Sequence, residues 1–113
     1  NTRVFSVDKK STVSDVIDKL RAANINEEID RVFVVDEKGK FAGQVGVGHL
    51  FRRPENFSLE SLIDKQALFV RVDTHQNEIK KLFSKHNLAH LPVLDGEDKL
   101  VGRVSRNGNG DGK

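Results

Sequence analysis

Histidines 49, 75, 86 and 90 are the first residues whose chemistry could matter, because imidazole serves both as metal ligand and as proton carrier. Their spacing suits neither task. No two of them stand with a third ligand at the separations of a zinc site. His75 and His86 flank an apolar stripe, four residues before Ile79 and three after Phe83, which suits packing or an interface. No serine sits in a nucleophile-elbow motif, and Gly46-Val47-Gly48 lacks the third glycine of a dinucleotide loop. Cysteine is absent, which removes disulfides, thiolate zinc sites and a thiol nucleophile together. The pattern points away from an enzyme. Among the carboxylates, Glu27, Glu28, Asp30, Asp36 and Glu37 form one concentration that reads as solvated surface. Asp73 and Asp95 stand where an aspartate caps a helix or starts a turn.

The elements that hold these residues are written twice. Val32-Phe33-Val34-Val35-Asp36 through Gly43 to Gly46 repeats as Leu91-Pro92-Val93-Leu94-Asp95 through Gly102 to Ser105, at an offset of 59 residues without a gap. Each copy reads as a β-hairpin: a β-branched run ending in aspartate, a polar turn containing glycine, and a second apolar run. Gly43 and Gly102 occupy the same point of the returning strand, where glycine signals a bulge or a close backbone approach. Upstream of each hairpin lies a helix. Val13, Val16, Ile17, Leu20 and Ala23 mark one buried stripe, with Ser11 or Thr12 as cap. Ile79, Leu82 and Phe83 mark the other, behind Asp73 or Thr74.

A short extended piece precedes each helix, at Val4–Asp8 and Phe69–Asp73, so the order in both halves is strand, helix, strand, strand. The divisions are residues 1–57 and 58–113, each a β-α-β-β-α unit in an α/β (α+β) fold whose small sheets are flanked by helices. Short helices are expected around His49 to Arg52 and from Ser58 to Ile63, the latter capped by Ser58. The second copy reads as truncated, with a mobile tail from about residue 106. Neither copy can bury both faces of its sheet alone, so the two are expected to pack with pseudo-twofold symmetry.

Composition closes several classes. Hydrophobic residues make up 36% and charged residues 32%, with no apolar run long enough to cross a bilayer and no signal peptide. Nineteen basic and seventeen acidic residues are interspersed, and tyrosine and tryptophan are missing, which argues against a nucleic-acid groove.

The hairpin at residues 33–43 and its repeat from Leu91-Pro92-Val93-Leu94-Asp95 to Leu100-Val101-Gly102 resemble the CBS (cystathionine β-synthase type) domain, over residues 4 to 105. Within that family, Arg71-Val72-Asp73-Thr74-His75-Gln76-Asn77-Glu78 and the long connector Arg21–Asp30 are similar to the cytosolic CBS region of MgtE-type magnesium transporters. So is Lys85–Val93, leading into the second hairpin. The resemblance implies a homodimeric sensor at the cytoplasmic face of the cell membrane. Its partners would be the transmembrane and N-terminal regions of the same parent protein. Low-affinity regulatory Mg²⁺ would bind between acidic surfaces and favour a closed pore, because a hard divalent cation removes the repulsion of facing carboxylates. Asp73 and Asp95 match acidic positions of the family motifs and are the implied metal ligands.

Many CBS pairs also bind adenosine nucleotides, through backbone near the Pro-Val strand and a Ser/Thr-x-x-Asp element whose aspartate clamps the ribose. Here Gly46 and His49 replace both members in the first copy, and Gly108 replaces the aspartate after Ser105 in the second. The missing clamps count against nucleotide binding and leave Leu91, Pro92 and Ser105 as the residues that would carry it.

Overall fold

The computed structural model describes residues 4–23 and 29–106; Glu27, Glu28, Gly108 and the tail beyond Arg106 lie outside them. The described chain divides into two units, Phe5–Ala67 and a second that begins at Leu68.

The first unit runs β1 (Ser6–Asp8), α1 (Val13–Ala22), β2 (Arg31–Val35), β3 (Phe41–Gly46), α2 (Val47–Leu50) and a 3₁₀ turn at Leu59–Leu62. β1 pairs with β2 in parallel and β2 with β3 in antiparallel fashion, giving the order β1-β2-β3. Alternation along the strands puts Val7, Val32, Val34 and Val45 on one face. There they join Val13 and Val16 of α1, Leu50 and Leu59 in a single buried cluster. Burying each such side chain is worth about 1.5–3 kcal/mol. The cap is Thr12, whose Oγ accepts from the Asp15 N–H while Asp15 accepts from the Thr12 N–H, a reciprocal capping box. The expected short helices are present, one shifted to Val47–Leu50 and the other a 3₁₀ turn capped by Ser58.

The second unit runs β4 (Val70–Arg71), α3 (Gln76–Lys85), β5 (His90–Leu94) and β6 (Leu100–Ser105), in the order β4-β5-β6 with the same parallel and antiparallel pairings. Its cluster is smaller: Val70, Phe83 and Leu91 are buried, with Ile79, Leu82, Val93 and Val104 packed against them. Both hairpins carry a register shift at the same place, between Val34 and Val35 and between Val93 and Leu94.

One expectation is corrected. The cap of α3 is His75, whose Nδ1 accepts from the Asn77 N–H at 3.0 Å, not Asp73 or Thr74. Thr74 is engaged one step earlier, its hydroxyl accepting from the Arg71 N–H at 2.7 Å to close the turn after β4. The helix therefore starts one residue later than the cap-forming types suggest.

Candidate functional site

Asp73 and Asp95 lie at one end of the second sheet. The parallel ladder Val70↔Val93 and Arg71↔Leu94 continues with a bond from the Val72 N–H to the Leu94 carbonyl at 3.0 Å, so each aspartate follows the carboxyl end of a neighbouring strand. Asp73 is exposed and Asp95 half-buried. The Asp95 Oδ1 accepts from the Glu97 N–H at 2.8 Å and the Lys99 N–H at 3.0 Å, the local Asx geometry that begins a tight turn. These backbone donors, Lys99 first, with Lys99 and Arg71 charges adding, hold its carboxyl below the usual aspartate value. Asp36 does the same in the first hairpin, accepting from Lys38 and Lys40, with the Lys40 N–H as the leading cause of its lowered pKa. The turn role of Asp95 is real, and it occupies one carboxylate oxygen.

Arg71 is the residue that reading by type overlooked. Its Nη1 donates to the Asp95 carbonyl oxygen at 2.8 Å and pairs with Asp98 Oδ1 at 2.8 Å, while the guanidinium lies 5.2 Å from the Phe69 ring centre. A cation thus already sits inside the acidic end. The signal for it is a charge reversal between copies, since the position equivalent to Arg71 in the first ladder is Asp8. Among the described residues, no group of three or more histidines and carboxylates is close enough to hold a metal. This end of the sheet therefore carries Asp73 and Asp95 together with a resident guanidinium.

Leu91, Pro92 and Ser105 stand at the opposite end of the same sheet. Ser105 pairs with His90, and Leu91 with Val104, whereas Asp95 follows the far end of β5. At roughly 3.3 Å per residue, four residues separate Leu91 from Asp95 by about 13 Å. The structure therefore splits the candidate residues into two groups. Leu91 is buried with Val70 and Phe83, so it could meet a ligand only through its backbone. Beside Ser105, the Arg103 Nη1 lies 3.3 Å from both ring nitrogens of His90, an equal spacing that fits stacking of guanidinium on imidazole. In the first copy the corresponding end is filled locally. A Cβ on Gly46 would come within 3.2 Å of the His49 ring, so the two departures from the clamp pattern are sterically linked.

A family model for the CBS domain matches residues 1–56 and 59–107. The chain is 35% identical over 95 residues to the magnesium transporter MgtE of Thermus thermophilus, covering 83% of this chain and 21% of that protein. It is 28% identical over 110 residues to the carnitine transport ATP-binding protein OpuCA of Listeria monocytogenes, covering 93% of this chain and 28% of that one. The crystal structure of the cytosolic domain of the Mg²⁺ channel MgtE in complex with ATP matches with a TM-score of 0.82 and 31% identity, over 91% of this chain and 42% of that one. The chain spans only a minor part of the length of these relatives. Among the described residues no helix is long and apolar enough to cross a membrane. With two copies of the repeat, each matched by the family model, the chain belongs to the CBS domain family.

Proposed function

We propose that this CBS pair is the regulatory, non-catalytic cytosolic part of a magnesium transporter, sensing intracellular Mg²⁺ and gating ion transport through rearrangement of a homodimer. The observation that carries the reading is the 35% identity to the Thermus thermophilus transporter across most of this chain. The acidic end supports it chemically. Asp73 and the free oxygen of Asp95 supply hard ligands, and the incomplete set fits an ion shared with a second copy and kept partly hydrated. Weak binding is what sensing a millimolar ion requires. Mg²⁺ would shift a two-state equilibrium by binding one arrangement of the dimer more tightly than the other. The test is titration of the chain with millimolar Mg²⁺ while following thermal stability and solution scattering, with Ca²⁺ and Na⁺ as comparators. A Mg²⁺-dependent change that weakens in Asp73→Ala and Asp95→Ala supports the reading; no change in the unmodified chain overturns it.

A second reading is an adenine-nucleotide sensor, favoured by the ATP bound in the related cytosolic domain and by the Arg103 guanidinium and His90 imidazole near Ser105. Arg103 and His90 offer phosphate-binding chemistry at that end. Stabilisation by ATP or AMP without Mg²⁺, lost in Ser105→Ala or Arg103→Ala, would select it. A dimerisation module without a ligand would respond to neither titrant.

A further inference from the structure

Arg71 and Asp98 are a pair that only the second copy of the repeat possesses. At the equivalent places the first copy has Asp8 and Gly39, so both members differ together. Asp98 sits at φ +67°, a left-handed backbone that glycine supplies in the first copy at φ +83°. An L-residue there is disfavoured by about 1 kcal/mol. What it adds is a carboxylate, 2.8 Å from the Arg71 Nη1. The same Nη1 donates to the Asp95 carbonyl oxygen at 2.8 Å, so one guanidinium nitrogen ties the first residue of the turn to the last. The Asp98 N–H closes that turn on the Asp95 carbonyl at 3.1 Å. In the first copy the matching bond, from the Gly39 N–H to the Asp36 carbonyl at 3.0 Å, has no cation beside it from position 8, which is an aspartate.

The charges around Arg71 show what it does there. Asp73, Asp95, Glu97 and Asp98 are set against Arg71 and Lys99. Lys99 pairs with Glu97 at 3.6 Å and Arg71 with Asp98, while Asp73 forms no ion pair among the described residues. Asp95 commits one oxygen to the Glu97 and Lys99 N–H groups. A guanidinium cannot shed its charge, and this one is tethered to the strand that ends at the turn. A divalent cation drawn to these carboxylates would enter the field of that fixed charge and would share Asp98 with it or displace it. We infer that Arg71 is the built-in counter-ion of the Asp95–Asp98 turn and competes with a divalent cation for its carboxylates, holding the turn when the ion is absent and keeping affinity for the ion low. The inference deepens the ion-sensing reading and takes the identity of the ion from it; the competition stands on the contacts of Arg71.

The experiment is calorimetric titration of the whole chain and of Arg71→Gln with MgCl₂ at fixed ionic strength, with amide NMR to place the ion. The Glu97 and Lys99 N–H groups, both bonded to Asp95 Oδ1, report an ion at this turn. Arg71→Gln should bind Mg²⁺ roughly fivefold or more tightly than the unmodified chain, with those two resonances moving at correspondingly lower Mg²⁺. Arg71→Lys keeps the charge and should stay close to the unmodified chain. Adding Asp98→Asn to Arg71→Gln removes the released carboxylate and should reverse most of the gain. In EDTA, Arg71→Gln should unfold at lower denaturant, and Mg²⁺ should restore part of that loss. Circular dichroism checks folding, and Arg71→Met, which keeps an aliphatic stem beside Phe69, carries the same test if the glutamine variant does not fold. Equal affinity in Arg71→Gln and the unmodified chain overturns the competition and leaves the ion-sensing reading intact. So does equal tightening in Arg71→Lys, which would make packing rather than charge the cause. Binding by Arg71→Gln alone upholds the competition and overturns ion sensing by the unmodified chain. No binding by any variant overturns both.

Discussion

The two units share a frame, yet they are held together differently. β2 and β3 correspond to β5 and β6 at an offset of 59, whereas β1 and α1 correspond to β4 and α3 at 63. The four-residue difference falls in the connectors, residues 23–30 against residues 86–89. The larger contrast lies on the returning strand. At Gly43 the connector passes so close that a Cβ would collide with the Asp64 carbonyl oxygen and approach Ile63 Cγ2 to 2.6 Å, and φ is +139°. At Gly102 the nearest neighbour of such a Cβ is Val93 Cβ at 3.8 Å, and φ is ordinary. Matching glycines in a repeat can therefore do unequal work. Gly43→Ala should cost about 3 kcal/mol or more, through both strain and displacement of the Gln44–Asp64 bridge. Gly102→Ala should cost less than about 1 kcal/mol. Chemical denaturation of the two variants side by side measures the difference; equal costs would mean the close approach at Gly43 is not maintained in solution.

How far the sequence discloses this follows from the range of each signal. The hairpins, their turn aspartates, α1 and α3 are legible because periodicity, β-branching and turn chemistry are local. The Thr12 cap is legible for the same reason, and the His75 cap is not, because Thr74 has the better intrinsic propensity but is claimed by the Arg71 N–H. Arg71 escapes notice because its partners are 24 and 27 residues away, at Asp95 and Asp98. The division of Asp73 and Asp95 from Leu91, Pro92 and Ser105 appears only with strand register, which places them at opposite ends of β5.

A second contrast is the way each main helix ends. Arg106 reaches back to the end of α3, its Nη2 donating to the Phe83 carbonyl at 3.0 Å and the His86 carbonyl at 3.2 Å, and its Nε to Leu88 at 3.1 Å. The residue 59 earlier, Val47, has no such side chain and contributes only its N–H, to the Asp30 carbonyl. A guanidinium at a helix C-terminus satisfies orphan carbonyls and opposes the dipole. Arg106→Met should destabilise the second unit by about 1–2 kcal/mol, while Val47→Met should be nearly silent. Amide exchange in α3, faster in the first variant alone, locates the effect.

The turn aspartates sharpen the comparison by pH. Both carboxyls titrate below their unfolded value, so their contribution is fully present above an ordinary aspartate pKa of about 3.8 and fades as pH falls through the lower, folded value. Asp36→Asn and Asp95→Asn should each flatten the loss of stability between neutral pH and about pH 3. Lys9 and Lys40 act on Asp36, and Lys99 and Arg71 on Asp95, so added salt should reduce this pH dependence without abolishing it. The backbone donors account for what remains. A Asp95→Asn variant with an unchanged acid limb would show that the turn does not hold the carboxylate as described.

The smallest effect is the most diagnostic of how the acidic end is built. The turn position that needs a left-handed backbone is Gly39 in the first hairpin, at φ +83°, and Asp98 in the second, at φ +67°. An L-residue there costs about 1 kcal/mol, less for aspartate than for most. The pair with Arg71 is partly exposed and returns only about 0.5 kcal/mol. Asp98→Gly should therefore change stability by less than about 0.5 kcal/mol, the relieved backbone offsetting the lost ion pair. The converse exchange is not symmetrical. A Cβ at Gly39 meets nothing within 4 Å, but Asp8 occupies the place of Arg71, so Gly39→Asp adds a carboxylate that lacks the guanidinium Asp98 pairs with. It should cost about 1 kcal/mol, and restoring the cation with Asp8→Arg should recover part of that. If Gly39→Asp proves neutral while Asp98→Gly is costly, the ion pair rather than the backbone governs this end, and Arg71 is held there more firmly than its exposure implies.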